Sequence, residues 1–152
     1  MALVTRVVDG YVRVDGKDAE DIGSDEFIHE NRPFERVLLE NQDTLIPEVH
    51  DFRWGGECRV EVDLHAMLQP KTPPPVEEQI IHVWGQCRFY EGASEDTNER
   101  EDLRDFAFDV PKTRPGSPPI RFEVPLKNHA LIGADDWANV TFQIKNRVAE
   151  LD

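Results

Sequence analysis

The stretch Trp137-Ala-Asn-Val-Thr-Phe-Gln-Ile-Lys-Asn-Arg-Val148 decides the fold reading. Ala138, Val140, Phe142, Ile144, Asn146 and Val148 share one parity, whereas Asn139, Thr141, Gln143 and Lys145 share the other. A period of two with apolar residues on one side marks a strand that has one face in a core and the other in water. Asn139-Val-Thr141 fits the glycosylation pattern, but its mid-strand position makes the match a coincidence.

The same alternation recurs along the chain. Cys58 to Leu68 sets Val60, Val62, Leu64, Ala66 and Leu68 on one face, and Ile80 to Tyr90 does so through Ile81, Val83, Cys87 and Phe89. Arg104 to Val110 points Phe106, Phe108 and Val110 inward, and Ile120 to Leu126 points Phe122 and Val124 inward. Phe34 to Glu40 reads as a further strand. At the N-terminus, Asp9-Gly10 between Val4–Val8 and Tyr11–Val14 is a two-residue hairpin signal, with Thr5 facing Val14 and Val7 facing Val12. Residues 17–31 include a candidate helical turn. The proline-rich segments 69–78 and 111–119 lack the backbone donors of a central strand and read as loops. These features predict an all-β fold without internal repeats: one domain over residues 1–152, an antiparallel β-sandwich of jelly-roll-like or Greek-key type with seven or eight strands and long acidic and Pro-rich loops.

At 152 residues the chain has the length of one domain, and 39% hydrophobic against 32% charged residues suffices for a core. The N-terminus has no apolar run of signal-peptide length, and no segment nears the roughly 18 apolar residues of a membrane span. The expectation is a soluble, cytoplasmic protein. Its formal charge of −14 is uneven: residues 15–30 and 91–105 each hold seven acids against one lysine and two arginines respectively, and together carry −11. Nucleic acid is a poor partner for a chain without a basic footprint; a cation, a basic protein surface or self-association fits better.

Centring the loop after the Cys58–Leu68 strand between Thr72 and Pro73 brings Cys58 opposite Cys87 on the apolar face. Two buried thiols are then the commoner outcome, and a disulfide the alternative. A cysteine-based metal site lacks a CxxC motif and a third cysteine. The same register places His82 opposite Asp63, with His65 one pair along. Such a cluster offers zinc ligation or acid–base chemistry, although ordinary cross-strand pairing gives the same pattern. Trp84 and Trp137 read as covered packing anchors before sugar-stacking platforms.

The acidic run Glu91-Gly-Ala-Ser-Glu-Asp-Thr-Asn-Glu-Arg-Glu-Asp-Leu-Arg-Asp105 offers oxygens of the kind calcium takes. It fails as an EF-hand, because counting from Asp96 puts Arg100 at the fifth position and Glu101 where glycine is required. The remaining cation candidate is an irregular site in which Asp96, Asn98, Glu99, Asp102 or Asp105, with Glu91, converges on Asp18, Asp21 or Asp25. The sequence carries no nucleophile elbow, phosphate-cradling glycine loop or HExxH motif. The expected function is therefore a non-enzymatic binding or assembly module whose acidic loops engage calcium or a basic partner. The alternatives are a small metal-dependent hydrolase using Asp63, His65 and His82, and a structural subunit assembling through edge strands.

Overall fold

The computed structural model describes residues 5–19, 23–69, 79–128 and 136–148. They form nine strands: β1 (Thr5–Asp18), β2 (Glu26–Leu39), β3 (Thr44–Leu45), β4 (Asp51–Trp54), β5 (Cys58–Leu68), β6 (Ile81–Glu91), β7 (Arg100–Val110), β8 (Ile120–Lys127) and β9 (Trp137–Arg147). A short 3₁₀ turn, Pro47–Val49, precedes β4. Among the described residues no helix is long and apolar enough to cross a membrane.

The strands make two antiparallel sheets, one in the order β2-β1-β9-β8 and one in the order β3-β5-β6-β7 with β4 also on β5. Neighbours within each sheet follow chain order almost throughout, and the last strand returns to lie beside the first. This is an up-and-down path, in place of the long crossings of a jelly roll or Greek key. Among the described residues one more strand is present than the upper expectation of eight, and β3 and β4 are too short for alternation to reveal.

Alternation explains the core. Val140, Phe142 and Ile144 of β9, Val8, Val12 and Val14 of β1, and Val60, Val62 and Leu64 of β5 belong to one hydrophobic cluster built from both sheets. Phe106 of β7 packs on Phe142 of β9 with ring centroids 4.5 Å apart, and Phe108 stacks on Phe122 of β8 at 4.7 Å. At the opposite end, Trp54 stacks on Phe89.

Asn146 shares the inward face of β9 but is polar and 0% exposed. Its amide donates to the carbonyls of Gln79 (2.6 Å) and Val110 (3.0 Å), and its Oδ1 accepts from Arg6 Nε at 2.7 Å. Its backbone carbonyl accepts from Arg6 Nη2 (3.0 Å) and from the Thr113 amide (2.8 Å). One side chain therefore ties β1 and β9 to the start of β6 and the end of β7.

Several local expectations are corrected. Asp9-Gly10 is no turn: β1 runs straight through it, with Gly10 between Phe34 of β2 and Ile144 of β9. A Cβ on Gly10 (φ +155°) would fall 1.8 Å from the Gln143 carbonyl oxygen, so the glycine permits close approach of β9. Thr5, Val7, Val12 and Val14 consequently lie on one strand and do not face each other. The described parts of residues 17–31 hold the end of β1, the start of β2 and short non-helical connections, with no helical turn. Val37-Leu38-Leu39 continues the alternation of β2, because Leu38 is buried while Val37 and Leu39 face water on an edge strand. Segment 91–105 is loop only in its first half, and from Arg100 it is β7. Pairing of β5 with β6 matches Val62 with Cys87 and Cys58 with Glu91, four residues from the expected register. The shift is even, so every side chain keeps its face. Most of the proline-rich 69–78 segment lies outside the described residues.

Candidate functional site

At one end of the two sheets the inward parity of several strands continues past the last apolar residue and ends in an acid or a thiol. On β1 the series Val12, Val14, Gly16 reaches Asp18; on β9 the residue two before Ala138 is Asp136. On β6 the residue after Phe89 on the same face is Glu91, and β5 begins with Cys58. Cys58 and Glu91 are cross-strand partners, and the β1–β9 register that pairs Gly16 with Ala138 carries on to Asp18 and Asp136. Each sheet thus contributes a pair to the same buried layer.

The side chains meet. A carboxylate oxygen of Asp18, Sγ of Cys58 and a carboxylate oxygen of Asp136 all lie within 4.8 Å of one another, as do carboxylate oxygens of Asp18, Glu57 and Glu91. Asp18 and Cys58 are 0% exposed and Asp136 is 2% exposed, while Glu57 and Glu91 are half-buried. Glu57 is presented by the Gly55-Gly56-Glu57 turn between β4 and β5. A Cβ on Gly55 (φ +67°) would fall 2.3 Å from Asp18 Oδ2, so only glycine lets the turn close over that carboxylate. Asp136 Oδ1 accepts from the Ala19 amide at 2.6 Å, and Asn128 Nδ2 donates to Glu91 Oε2 at 3.3 Å. A recess of about 300 Å³ lined by Lys127, Asn128, Asp136 and Trp137 opens beside the cluster.

The electrostatics are unfavourable as they stand. Two carboxylate charges 4.8 Å apart repel by about 3.5 kcal/mol at an effective dielectric constant of about 20. Among the described residues no lysine, arginine or histidine forms an ion pair with Glu57, Glu91 or Asp136. Burial, reinforced by a hydrogen bond to Asp136, pushes Glu91 up to about 8, so this carboxyl retains a proton at neutral pH. Burial, then the charges of Asp18, Asp136, Glu91 and Glu57, raises the Cys58 thiol and keeps it neutral. The cluster attracts positive charge, whether a proton or a cation.

The sequence candidates divide. Asp18 and Glu91 lie in the cluster. Asp102 is also buried on the inward face of β7, where its carboxylate accepts from the Leu103 amide (2.8 Å) and the Lys127 amide (3.0 Å), joining β7 to β8. Asp96 is exposed and pairs with Arg53, which holds its carboxyl below the ordinary value. Asn98 and Glu99 are exposed on the β6–β7 loop, and Asp105 accepts from Gln86 on the outer face. Asp25 pairs with Lys17 at 3.6 Å, and Asp21 lies outside the described residues. Glu57 and Asp136 were missed because the alternation was read only as far as its last apolar member. Extending it by one step on β9 reaches Asp136, and the Gly-Gly pair announces the turn that carries Glu57.

Cys58 and Cys87 are both free and buried. Cys87 sits opposite Val62, four residues along β5 from Cys58 and so about 13 Å away, beyond the reach of a disulfide. His65 and His82 do not converge on Asp63. His65 Nδ1 pairs with Asp43 at 2.9 Å, His82 Nδ1 with Asp109 at 2.8 Å, and Asp63 with Arg88 at 2.5 Å and His50 at 3.1 Å. Burial pulls the Asp63 carboxyl upward, but the Arg88 hydrogen bond and charge outweigh it and hold the group below its ordinary value. Trp84 stacks on the imidazoles of both His65 and His82 at 5.3 Å on the outer face. No protein-family model, curated protein or solved structure matches the chain.

Proposed function

We propose that this chain is a non-enzymatic binding or assembly module, a β-sandwich whose acidic end holds a divalent cation. The observation that carries this reading is the meeting of Asp18, Cys58 and Asp136, all buried, within 4.8 Å, with Glu57 and Glu91 on the solvent side. Four carboxylates so placed are costly unless a cation or protons neutralise them. On the carboxylates alone, with the Asn128 amide oxygen alongside, calcium is the ion favoured, because it accepts many oxygens in irregular geometry. The bound ion would clamp five chain segments: the end of β1, the β4–β5 turn, the end of β6, the residue after β8 and the residue before β9. The exposed acids Asp96, Glu99 and Asp105, with Asn98 between them, then remain as a rim for a basic partner.

Thermal melting of chelator-stripped protein tests this. Saturating calcium raises the melting temperature, by an amount corresponding to about 2.7 kcal/mol at a hundred times Kd, and chelator reverses the rise. Asp136→Asn and Glu91→Gln remove the response, whereas Asp96→Ala and Asp105→Ala keep it. If no divalent cation shifts the transition, the reading is wrong.

A further inference from the structure

The inner half of this cluster is not an all-oxygen set. Cys58 is the first residue of β5, and the inward parity of Val60, Val62 and Leu64 aims its side chain into the space between the sheets, where Sγ lies within 4.8 Å of oxygens of both Asp18 and Asp136. The thiol is 0% exposed and, among the described residues, makes no hydrogen bond and no disulfide. A small apolar residue would fill that position at lower cost than a thiol among carboxylates, which gains neither solvation nor a partner there. Cys87 provides the internal contrast: it is equally buried, but its cross-strand neighbours are Val62 and Arg104, and no metal-type cluster among the described residues includes it.

We propose, resting on the cation reading above, that the ion taken here belongs to the thiophilic, borderline class of zinc and cobalt(II), bound by the Cys58 sulfur with Asp18 and Asp136. Glu91 or water from the adjoining recess completes a four-coordinate set. On binding, the Cys58 thiol releases its proton to solvent and its sulfur lone pair forms the bond to the metal, so no oxidant or reductant takes part. Hard ions such as calcium and magnesium avoid sulfur and are held by the carboxylate oxygens alone; borderline ions add the inner sulfur. Mixed thiolate–carboxylate ligation at a buried point gives selectivity that no count of surface acids would disclose.

The test is titration of the metal-free, fully reduced chain with cobalt(II), followed by its electronic absorption and by competition with zinc and calcium. The expected result is a thiolate-to-cobalt charge-transfer band at one equivalent that zinc abolishes, calcium leaves, and Cys87→Ser retains. Cys58→Ser and Cys58→Ala both lose the band and weaken zinc by more than about 100-fold, the upper end of what loss of an outer-shell partner costs. Asp136→Asn, which keeps the thiol, also weakens the band. Binding of cobalt(II) without a thiolate band and with affinity unchanged in Cys58→Ser, or binding of calcium alone with neither cobalt(II) nor zinc taken up, overturns this inference and leaves the cation reading intact. Absence of binding by any of the three ions overturns both.

Discussion

Replacing Asn146 by leucine tests how the two sheets are fastened at the end opposite the acidic cluster. The two side chains have similar volume, so packing changes little, but three polar groups lose their partner: Arg6 Nε and the carbonyls of Gln79 and Val110. Each orphaned group in a dry site costs about 1–3 kcal/mol, with the charged one at the top of the range. Arg6 is itself only 6% exposed, and burial already lowers its affinity for its proton, so water reaches it poorly. Summed and discounted for partial relaxation, the loss is about 3–5 kcal/mol, a large share of the 5–15 kcal/mol typical of a domain. Urea unfolding followed by tryptophan fluorescence reads it directly: with a slope of about 2 kcal/mol/M, the midpoint falls by about 2 M. The Arg6→Leu, Asn146→Leu double variant costs less than the two single losses added, with a coupling of about 1–3 kcal/mol. A single-variant loss below about 1 kcal/mol, or strict additivity in the cycle, refutes the assignment of Asn146 as the hub.

In metal-free protein Asp136→Asn raises the melting temperature, because it removes a charge repelled by its neighbours, yet the same change removes the response to cations; calorimetry in both states shows the reversal. Metal-free protein also loses stability as pH rises from about 5 to 8. Glu91 is held up to about 8 when folded, so its stabilising contribution is complete below its unfolded value of 4.5 and fades as pH climbs through 8. At the acid end the sign is opposite: Asp63 and Asp15 lie below their ordinary 3.8, so what they contribute is intact above that value and is lost as pH falls below it, which acid titration by circular dichroism follows. Gly10→Ala drives a methyl into the Gln143 carbonyl and costs at least about 2 kcal/mol, measured by urea unfolding.

Parity was legible in the sequence and offset was not. The core face of β5, β6, β8 and β9 follows from alternation alone, and it survives the four-residue register error because that error is even. The offset depends on where pairing stops at the proline-rich connection, which composition does not reveal: Gln69 and Ile80 still pair, through the Gln69 amide and the Ile80 carbonyl at 2.9 Å. Asp9-Gly10 was misread for a related reason. A dipeptide that favours a turn locally was overridden by pairing on both sides of β1, and the glycine serves the neighbouring backbone. β4 has four residues and β3 two, too few for a period to register. The acidic cluster was half visible: Asp18 and Glu91 lie in the two acidic segments and Glu57 and Asp136 outside them, and composition does not separate the inward acids from exposed loop acids such as Asp96 and Glu99. The inward acids Glu91 and Asp136 lie one step past the apolar series that points to them.

The most direct test of the cation reading is an anomalous difference map from crystals of the chain grown with cadmium or zinc. One strong peak is expected within bonding distance of the Asp18 and Asp136 carboxylates, with the Cys58 sulfur or Glu91 completing the shell. A map that places the ion only on exposed loop acids, or leaves the cluster unmetallated with Glu91 still hydrogen-bonded to Asp136, contradicts it.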